Sequence, residues 1–344
     1  MNKLKKNEII LFPTETVLGI GCLLDENCVK RLRKITKRPK DKPFAILLSN
    51  KEEIKKWVKY TPPAYKKLSK LLPGPLTLIF KGKDFLPEGV ISKNGTVGIR
   101  IPDYKPIQNI IRDAGVPLIA TSANISGKPT PLHTDDVELK FDNVIPGSSG
   151  FGIPSTVLDI TKKNPILLRK GMISIIELEN SLQMEIALGD GVEINVLYIC
   201  SGNMCRSPMA EAHLKSLIKD MDIVKVRSAG TIAVSGMPLS IGAGLILEEE
   251  NIDIQHQSIH VEKPILNWAD IIFVMEEEHK DYLVELSPEN KSKILLLANF
   301  KDKNNTREIE DPIGKDIEVY REVFEKIKTA NKKFEKYLRR KIKK

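Results

Sequence analysis

The strongest chemical signal in the sequence is the segment from Cys200 to Pro208, CSGNMCRSP, which follows the apolar run Val196 to Ile199 and precedes a helical pattern. A strand that turns through a short glycine-containing loop into a helix directs several backbone N–H groups and the positive end of the helix at one point. The segment therefore predicts an oxyanion-binding loop with a cysteine at its head.

Side chains in and near this loop predict covalent phosphoryl transfer. Cys200 lies where its thiolate is stabilised, so its sulfur can act as a nucleophile. Arg206 can donate two hydrogen bonds to the equatorial oxygens of the transferring group. Asp311, which precedes Pro312 in a late acidic loop, can protonate the leaving group. Ser207 is predicted to cap the helix that follows the loop.

The first half of the sequence offers a different set of polar side chains. It has no Gly-x-x-x-x-Gly-Lys loop, and Gly19-Ile20-Gly21 is interpreted as a tight packing turn. Hydroxyl, amide and basic residues instead cluster at predicted strand ends. The clusters are Pro13 to Thr16, Thr36 to Pro43, Thr96 to Arg100, Thr121 to Gly127, and Ser155 with Thr156. Hydroxyls and amides beside Arg38, Lys42 and Arg100 are what a pocket for a phosphorylated ligand requires.

The second half positions its cysteine loop with alternating strands and helices. The predicted strands are Val196 to Ile199, Ile223 to Val226, Ile271 to Met275 and Ile294 to Leu297. Helical patterns lie between these strands and after the last one. This alternation predicts a four-stranded parallel sheet in an α/β domain, with helices on both faces.

The first half alternates less regularly. Its β-rich runs are Ile9 to Phe12, Ala45 to Leu48, Thr77 to Phe80, Val97 to Ile101, Leu118 to Ala120, Thr156 to Ile160 and Ile166 to Arg169. Lysine-rich helical stretches between them favour a mixed, twisted α/β sheet. We expect a first domain over residues 1–180, a linker over 181–193 with the boundary near Gly189, and a second domain over 194–344.

Length and composition limit the classes of protein that fit. At 344 residues the chain exceeds what one hydrophobic core usually supports, which favours two domains. It has no run of about 18 apolar residues and no apolar N-terminal stretch of leader length, so we expect a soluble, cytoplasmic protein with no membrane partner. Its four cysteines are too few for a disulfide framework, and its five histidines, which lack metal spacing, receive no role.

The formal net charge of +9 fits a nucleic-acid partner, a polyanionic substrate or a lysine-rich composition. Part of this charge lies between Lys332 and Lys344, where basic residues alternate with Phe334, Tyr337 and Leu338. Positive side chains in a last turn complement the helix dipole. We therefore interpret this segment as the solvated end of a helix, with an RNA-binding tail as the alternative.

Residues 194 to about 335 resemble the low-molecular-weight protein-tyrosine-phosphatase family. The resemblance rests on the cysteine, five residues, arginine and serine after the first strand, on the late Asp-Pro, and on Val226 to Gly230 and Ala269 to Met275. It implies that Cys200 forms a phosphocysteine intermediate, that Arg206 binds phosphate and that Asp311 is the general acid. It also implies that Asn203 and Ser207 order the loop and the thiolate.

The same resemblance implies a phosphorylated protein side chain as substrate, either phosphotyrosine or phosphoarginine. Phosphotyrosine-specific members tend to carry aromatic residues after the Asp-Pro, whereas Ile313 and Gly314 stand here, as in bacterial members that include arginine phosphatases. Arginine phosphatases, however, favour threonine where Met204 stands. The two signals conflict, and both substrates stay open. Cys205 either protects Cys200 by a reversible disulfide or is an ordinary loop residue.

Residues from about Ile9 to Gly171 resemble the YrdC/Sua5 family, the L-threonylcarbamoyladenylate synthases of the tRNA t6A pathway. The ordered series of polar clusters described above carries the resemblance. It implies that Thr16 and Arg100, with Ser155 nearby, hold L-threonine. It implies that ATP is surrounded by Arg38, Lys42, Thr96, Ser122, Asn124, Thr130 and Arg169.

The implied reaction joins L-threonine, bicarbonate and ATP into threonylcarbamoyl-AMP and pyrophosphate. Mg²⁺ is expected to accompany ATP, while the protein itself is expected to hold no metal and no tightly bound cofactor. Positioning and charge neutralisation by Arg38 and Lys42 would promote attack of the carbamate oxygen on the α-phosphorus. Transfer proteins or tRNA are the expected further partners.

One position departs from the family pattern, because Thr36 stands where the family's Lys-x-Arg motif has lysine. Either Lys37 or Lys42 replaces that lysine, or synthase activity is reduced. An alternative is that the first half is a non-catalytic module that binds double-stranded RNA or tRNA, with only the phosphatase active. A regulatory fusion, in which the second half senses a phosphorylated partner, is a further hypothesis.

Overall fold

The computed structural model describes residues 4–150, 152–253, 255–300 and 308–342. The chain forms two compact units, Met1–Gly189 and Asp190–Lys344. Among the described residues, no helix combines the length and the apolar character needed to cross a bilayer.

In the part of the first unit that the structure describes, ten strands and five α-helices form the fold. The strands are β1 (Ile10–Phe12), β2 (Gly19–Leu23), β3 (Ala45–Leu47), β4 (Leu76–Lys81), β5 (Thr96–Arg100), β6 (Leu118–Ser122), β7 (Asn143–Val144), β8 (Thr156–Asp159), β9 (Ile166–Arg169) and β10 (Ala187–Leu188). The helices are α1 (Glu26–Thr36), α2 (Ile54–Trp57), α3 (Pro63–Leu68), α4 (Lys105–Ala114) and α5 (Ile175–Leu182).

All ten strands form one mixed sheet with the order β10-β9-β8-β4-β5-β3-β6-β2-β1-β7. The pairs β1·β7, β3·β5, β4·β8 and β9·β10 are parallel, and the other pairs are antiparallel. One face packs on α4, where Ile107 and Ile111 contact Ile10, Phe12 and Leu118 in the core. The expected mixed α/β sheet is confirmed, and it is more extensive than the sequence indicated.

Strand β2 corrects the interpretation of Gly19-Ile20-Gly21 as a turn. This segment is a central strand that pairs with β1 on one side and β6 on the other. A side chain at Gly21 would place its Cβ 2.4 Å from the carbonyl oxygen of Ile119, and one at Gly19 would meet the ring of Phe12 at 2.6 Å. The glycines are therefore required by close packing within the sheet.

Two further expectations differ from the structure. Part of the segment expected to be a linker is folded, since α5 ends at Leu182 and β10 pairs with β9. Cys22 on β2 and Cys28 on α1 form a disulfide, with a Cα–Cα distance of 6.4 Å, although their number and placement did not favour one. The turn from β2 into α1 brings these two cysteines together.

The second unit contains the expected four-stranded parallel sheet, in the order β12-β11-β13-β14. Its strands are β11 (Ile194–Cys200), β12 (Val224–Gly230), β13 (Ile271–Val274) and β14 (Ile294–Leu296). Its helices are α6 (Arg206–Leu217), α7 (Ile241–Glu249), α8 (Lys263–Trp268), α9 (Glu277–Leu286) and α10 (Ile317–Ile342). Every residue of β11 is buried, as expected for a central strand covered on both faces.

Helix α10 packs its apolar side against this sheet. Phe334 lies edge-on to Phe273 of β13, with ring centroids 4.8 Å apart, and Tyr337 lies edge-on to Phe300 at 5.4 Å. Near the helix end, Arg339 pairs with Asp220 at 2.8 Å. The basic end is thus tied to the fold through at least one cation; Lys343 and Lys344 lie outside the described residues.

Candidate functional sites

The first unit contains a cavity of about 570 Å³. Seven of the residues expected to bind threonine or ATP line it, namely Arg38, Arg100, Ser122, Asn124, Thr130, Ser155 and Arg169. They come from the loop after α1, from β5, from β6 and the loop after it, and from the segment around β8 and β9. The sheet therefore brings together residues that are far apart in the sequence.

Arg38 reaches the cavity because α1 ends just before it. Lys37 adopts a left-handed conformation at the end of α1, with φ 49°. The guanidinium of Arg38 donates to the carbonyl oxygens of Lys42 at 3.0 Å and Pro43 at 2.8 Å, and to the hydroxyl of Thr121 at 3.0 Å. Burial, together with the nearby charge of Arg33, lowers the pKa of Arg38.

Arg100 lies at the end of β5 and joins two residues of the Pro13 to Thr16 cluster. Its Nη2 donates to the hydroxyl of Thr16 at 2.8 Å and lies 2.9 Å from a carboxylate oxygen of Glu15. Thr16 is itself fully buried and shares a 2.8 Å hydrogen bond with Thr14. Thr16 thus contributes to the cavity indirectly, because it helps to hold Arg100. The guanidinium of Arg100 is of the kind that binds a carboxylate.

Ser155 and Arg169 also line the cavity and contact each other. Arg169 donates to the carbonyl oxygen of Ser155 at 2.8 Å and to its hydroxyl at 3.0 Å. The hydroxyls of Ser155 and Thr77 are 3.0 Å apart. Burial, with the charges of Arg100 and Arg38, lowers the pKa of Arg169 to about 10. Three guanidiniums therefore share one cavity, and a polyanion that entered it would relieve their repulsion.

Two of the expected ATP contacts do not line the cavity. Lys42 is exposed, and it is its backbone carbonyl that accepts the hydrogen bond from Arg38. Thr96 lies at the opposite end of β5 from Arg100, where its hydroxyl bonds with Ser92 at 2.7 Å. Thr36 is buried, and its hydroxyl donates to the carbonyl oxygen of Leu32 at 2.8 Å within α1.

The sequence interpretation missed several residues around this cavity. Thr14, Thr77, Thr121 and Lys128 line it, and Glu15 pairs with Arg100. Thr14, Glu15 and Thr121 stood inside the polar clusters already singled out, so the clusters themselves carried the signal. Across the described residues, no group of three or more carboxylate, histidine or cysteine side chains could hold a metal ion.

The second site lies where β11 runs into α6. Cys200 is the last residue of β11 and is buried, and Arg206 is the first residue of α6. Asn203 adopts a left-handed conformation in the loop, with φ 53°. Gly230 at the end of β12 lets the neighbouring strand approach, since a Cβ there would lie 2.4 Å from the carbonyl oxygen of Ser201. The loop is thus shaped by its own turn and by the adjacent strand.

A hydrogen-bond network holds the cysteine. The Sγ of Cys200 lies 3.0 Å from the hydroxyl of Ser207. The side-chain amide of Asn203 donates to that hydroxyl at 2.9 Å and to the hydroxyl of Ser228 at 2.8 Å. Ser207 therefore does not cap the helix, as the sequence had suggested; it lies inside α6 with its hydroxyl directed at the sulfur. Such a donor stabilises a thiolate.

Arg206 is only 1% exposed, and four groups fix its guanidinium. It donates to Glu276 at 2.6 Å, to the carbonyl oxygen of Ile309 at 2.9 Å, to the hydroxyl of Ser201 at 3.1 Å and to Asp311 at 2.6 Å. The planar fork is thus preorganised beside the loop. The structure brings together all five residues expected at this site.

Two histidines that received no role from the sequence support the loop. His279 Nε2 lies 2.9 Å from the hydroxyl of Ser201, and His256 Nε2 lies 2.6 Å from the carbonyl oxygen of Asn203. Burial, with the charge of Arg206, lowers the pKa of His279 to about 4. His279 is therefore neutral at pH 7. Both histidines reach the loop from segments distant in sequence, which spacing arguments do not detect.

Cys205 shares the loop with Cys200, and both are free thiols. Its Sγ is 3.0 Å from the hydroxyl of Ser240 and 3.7 Å from that of Tyr320. Burial raises the pKa of Cys205. Its thiol is thus less suited to nucleophilic attack than an unburied thiol would be.

Comparison with known proteins assigns each unit to a different group. A family model described as telomere recombination, of the Sua5, YciO and YrdC group, matches residues 2–171. A model described as low molecular weight phosphotyrosine protein phosphatase matches residues 195–344.

Individual relatives agree with these matches. The threonylcarbamoyl-AMP synthase of Pyrococcus abyssi is 36% identical over 183 residues, which are 51% of this chain and 54% of that protein. The one from Escherichia coli O6:H1 is 30% identical over 164 residues, 45% of this chain and 86% of that protein. The protein-arginine-phosphatase of Geobacillus stearothermophilus is 39% identical over 134 residues, 39% of this chain and 88% of that protein.

A crystal structure of P. abyssi Sua5 complexed with L-threonine matches with a TM-score of 0.52 and 25% identity, over 84% of this chain and 92% of that one. The chain spans only about half the length of two curated synthases, 54% of the P. abyssi protein and 53% of the one from Bacillus subtilis.

Proposed function

Since its first unit belongs to the YrdC/Sua5 family and its second unit to the low-molecular-weight protein-tyrosine-phosphatase family, we propose that this chain is a bifunctional enzyme. The first unit forms L-threonylcarbamoyladenylate for the t6A modification of tRNA. The second unit hydrolyses a phosphorylated protein side chain. Each activity is supported by its own site.

The shared cavity of Arg38, Arg100 and Arg169 carries the proposal for the first unit. We assign the carboxylate of L-threonine to Arg100, which Thr16 and Glu15 hold, and the triphosphate to the region of Arg38. The amine of threonine combines with bicarbonate to a carbamate, and water leaves. A carbamate oxygen then forms a bond to the α-phosphorus of ATP as the bond to pyrophosphate breaks.

Catalysis in this unit depends on positioning and on charge neutralisation. The three guanidiniums hold the two reactants together and stabilise the charge that develops on the departing pyrophosphate. We propose that Mg²⁺ enters as the counter-ion of ATP, because Mg²⁺ usually keeps several waters and binds substrate phosphates. No residue is needed to form a covalent intermediate.

The synthase assignment is tested by omission of one substrate at a time. Purified protein with ATP and Mg²⁺ is expected to release pyrophosphate only when L-threonine and bicarbonate are both present. Pyrophosphate release that requires neither L-threonine nor bicarbonate would indicate a simple ATP pyrophosphohydrolase. No release under any condition would favour a non-catalytic RNA-binding module.

The contact between Cys200 and Ser207, beside the fixed guanidinium of Arg206, carries the proposal for the second unit. The thiolate attacks phosphorus, and the bond to the leaving side chain breaks as Asp311 supplies a proton. Water then attacks the phosphocysteine, Asp311 removes a proton from it, and inorganic phosphate leaves with the thiolate restored. Arg206 stabilises the equatorial oxygens in both steps.

We propose phosphoarginine as the preferred substrate. The relative from G. stearothermophilus is named a protein-arginine-phosphatase. The carboxylates of Glu276 and Asp311, which flank Arg206 and remain 27% and 35% exposed, offer acceptors for the N–H groups of a substrate guanidine. Turnover of matched phosphoarginine and phosphotyrosine peptides by the wild-type and Cys200→Ser proteins tests this. A higher kcat/KM for phosphotyrosine would assign the alternative substrate, and turnover by Cys200→Ser would exclude the covalent mechanism.

A further inference from the structure

Four cationic side chains line the cavity of the first unit, and they differ in how they are held. Arg38, Arg100 and Arg169 each donate hydrogen bonds to protein groups, as described above. Lys128 also lines the cavity, but its side chain is exposed, and its ammonium makes no hydrogen bond or ion pair with any residue in the described parts of the chain. Lys128 therefore has all three of its donors available for a ligand.

The backbone that carries Lys128 is fixed even though its side chain is free. The N–H of Lys128 donates to the carbonyl oxygen of Ile125 at 2.9 Å. The amide of Asn124 donates to the carbonyl oxygen of Lys128 at 2.5 Å, and its oxygen accepts from the hydroxyl of Thr130 at 3.1 Å. Gly127 turns the loop with φ 91°. The turn thus fixes the backbone from which the side chain of Lys128 extends at the cavity.

This arrangement also changes the role of Asn124. Its side-chain amide and its side-chain oxygen are both engaged within the loop. A side chain that makes these hydrogen bonds orders the loop. It has fewer donors and acceptors left to bind a nucleotide. Asn124 is therefore better described as the residue that positions Lys128.

No other lysine near the end of α1 fills this place. Lys37 is exposed at the end of the helix and does not line the cavity, and Lys42 contributes only its backbone carbonyl. Thr36 directs its hydroxyl into its own helix. Among the described residues that line the cavity, Lys128 on the loop after β6 is the lysine available to the phosphates.

From these contacts we infer that Lys128 binds the β- and γ-phosphates of the nucleotide, with Asn124 as its positioning residue. The inference rests on the proposed binding of ATP in this cavity. The three guanidiniums are held by hydrogen bonds to protein groups and are therefore less free to move than the ammonium of Lys128. Lys128 is a compact charge on a flexible stem and can follow the phosphates as pyrophosphate forms and departs.

The experiment is calorimetric titration of the full-length protein with AMP, ADP and ATP, which needs no turnover. The Lys128→Ala variant is expected to bind ATP about tenfold more weakly, as for loss of one charge-assisted hydrogen bond. Its affinity for AMP should stay close to that of the wild type, because AMP lacks the two outer phosphates. Lys128→Arg should recover most of the ATP affinity. Asn124→Ala should reproduce part of the ATP-specific loss.

Lys40→Ala is the matched control, because Lys40 is an exposed lysine close to Arg38 that does not line the cavity. It should leave the affinity for all three nucleotides unchanged. Equal loss of AMP and ATP affinity in Lys128→Ala, or no loss of either, would overturn the inference while the wild-type protein still binds ATP. A wild-type protein that binds no nucleotide would overturn both the inference and the proposed synthase function.

Discussion

Asp311 and Arg206 form an ion pair at 2.6 Å. In the proposed reaction these two groups act on opposite sides of the same phosphoryl group, one on the leaving atom and one on the equatorial oxygens. Before substrate binds they neutralise each other. The incoming phosphate must therefore take the place of the Asp311 carboxylate on the guanidinium. The released carboxylate can then take up a proton from solvent and donate it to the leaving group.

Replacement of Asp311 by asparagine should separate catalysis from anion binding. We expect kcat to fall by about 10² or more, because the proton donor is lost. Inorganic phosphate should inhibit the variant several-fold more strongly, because the Asp311 carboxylate no longer competes with it for Arg206, while that of Glu276 remains. Competitive inhibition by phosphate measures the second effect. Glu310→Gln is the control, since Glu310 pairs with Lys326 at 2.9 Å and is expected to leave both constants unchanged. Weaker phosphate binding in Asp311→Asn would contradict the proposal that phosphate and the Asp311 carboxylate compete for Arg206.

The hydroxyl of Ser207 should control the reactivity of Cys200. Ser207→Ala removes the donor that lies 3.0 Å from the sulfur, so we expect alkylation of Cys200 by iodoacetamide at neutral pH to slow about tenfold. Mass spectrometry of the peptide that contains both loop cysteines distinguishes Cys200 from Cys205. Ser216→Ala, on the same helix with its hydroxyl bonded to the carbonyl oxygen of His213, is the control. An unchanged alkylation rate in Ser207→Ala would exclude the proposed stabilisation.

Replacement of Thr16 should raise KM for L-threonine and leave KM for ATP nearly unchanged. Thr16→Val keeps the shape of the side chain but removes its hydrogen bonds to Arg100 and Thr14. We expect KM for L-threonine to rise about tenfold in the pyrophosphate assay, because Arg100 loses one of the groups that hold it. KM for ATP should change by less than about twofold. Thr161→Val is the control, because Thr161 lies beyond β8 and its hydroxyl bonds to Asp159 at the end of that strand. An equal rise in both KM values would show a general distortion of the cavity.

Protonation of His213 should lower the free energy of unfolding of the second unit at acidic pH. Burial, with the charges of Lys332 and Lys328, lowers the pKa of His213 from 6.5 to about 4. His213 binds a proton more readily in the unfolded chain than in the folded one. The stability that neutral His213 contributes is therefore fully present above about pH 6.5 and is lost as the pH falls towards 4. The shift corresponds to a loss of up to about 3 kcal/mol.

Urea unfolding in a Trp57→Phe background tests this, because Trp268 then reports on the second unit alone. His213→Gln should reduce the loss of unfolding free energy between pH 7 and pH 5, although His279, whose pKa is also about 4, keeps part of it. His260→Gln is the control, since His260 is more exposed. An unchanged pH dependence in His213→Gln would show that His213 is not the titrating group.

The sequence predicted the second unit more fully than the first, for a physical reason. Its parallel strands are continuous apolar runs because both faces are covered, and the loop chemistry lies within one short segment around Cys200. The groups that complete the site were not predicted. Glu276, His256 and His279 reach the loop only through tertiary folding.

The first unit was harder to predict because its sheet is mixed and its glycines are ambiguous. A glycine pair is typical of a turn, yet Gly21 is needed in β2 because the carbonyl of Ile119 lies too close for any side chain. Five of the seven expected lining residues lie in the polar clusters, whereas Thr130 and Arg169 were expected only from the family resemblance. The clusters did not distinguish Lys128 from other surface lysines, since only the folded loop shows that its side chain lines the cavity while its backbone is fixed.

The central claim is that one chain carries two separate activities, and one paired measurement tests it most directly. Pyrophosphate release with all three synthase substrates and phosphate release from a phosphoarginine peptide are measured on the wild-type, Arg38→Ala and Cys200→Ser proteins. We expect the wild type to perform both reactions, Arg38→Ala to lose only pyrophosphate release, and Cys200→Ser to lose only phosphate release. A wild-type protein that releases phosphate but no pyrophosphate would contradict the claim and leave the first unit as a binding module.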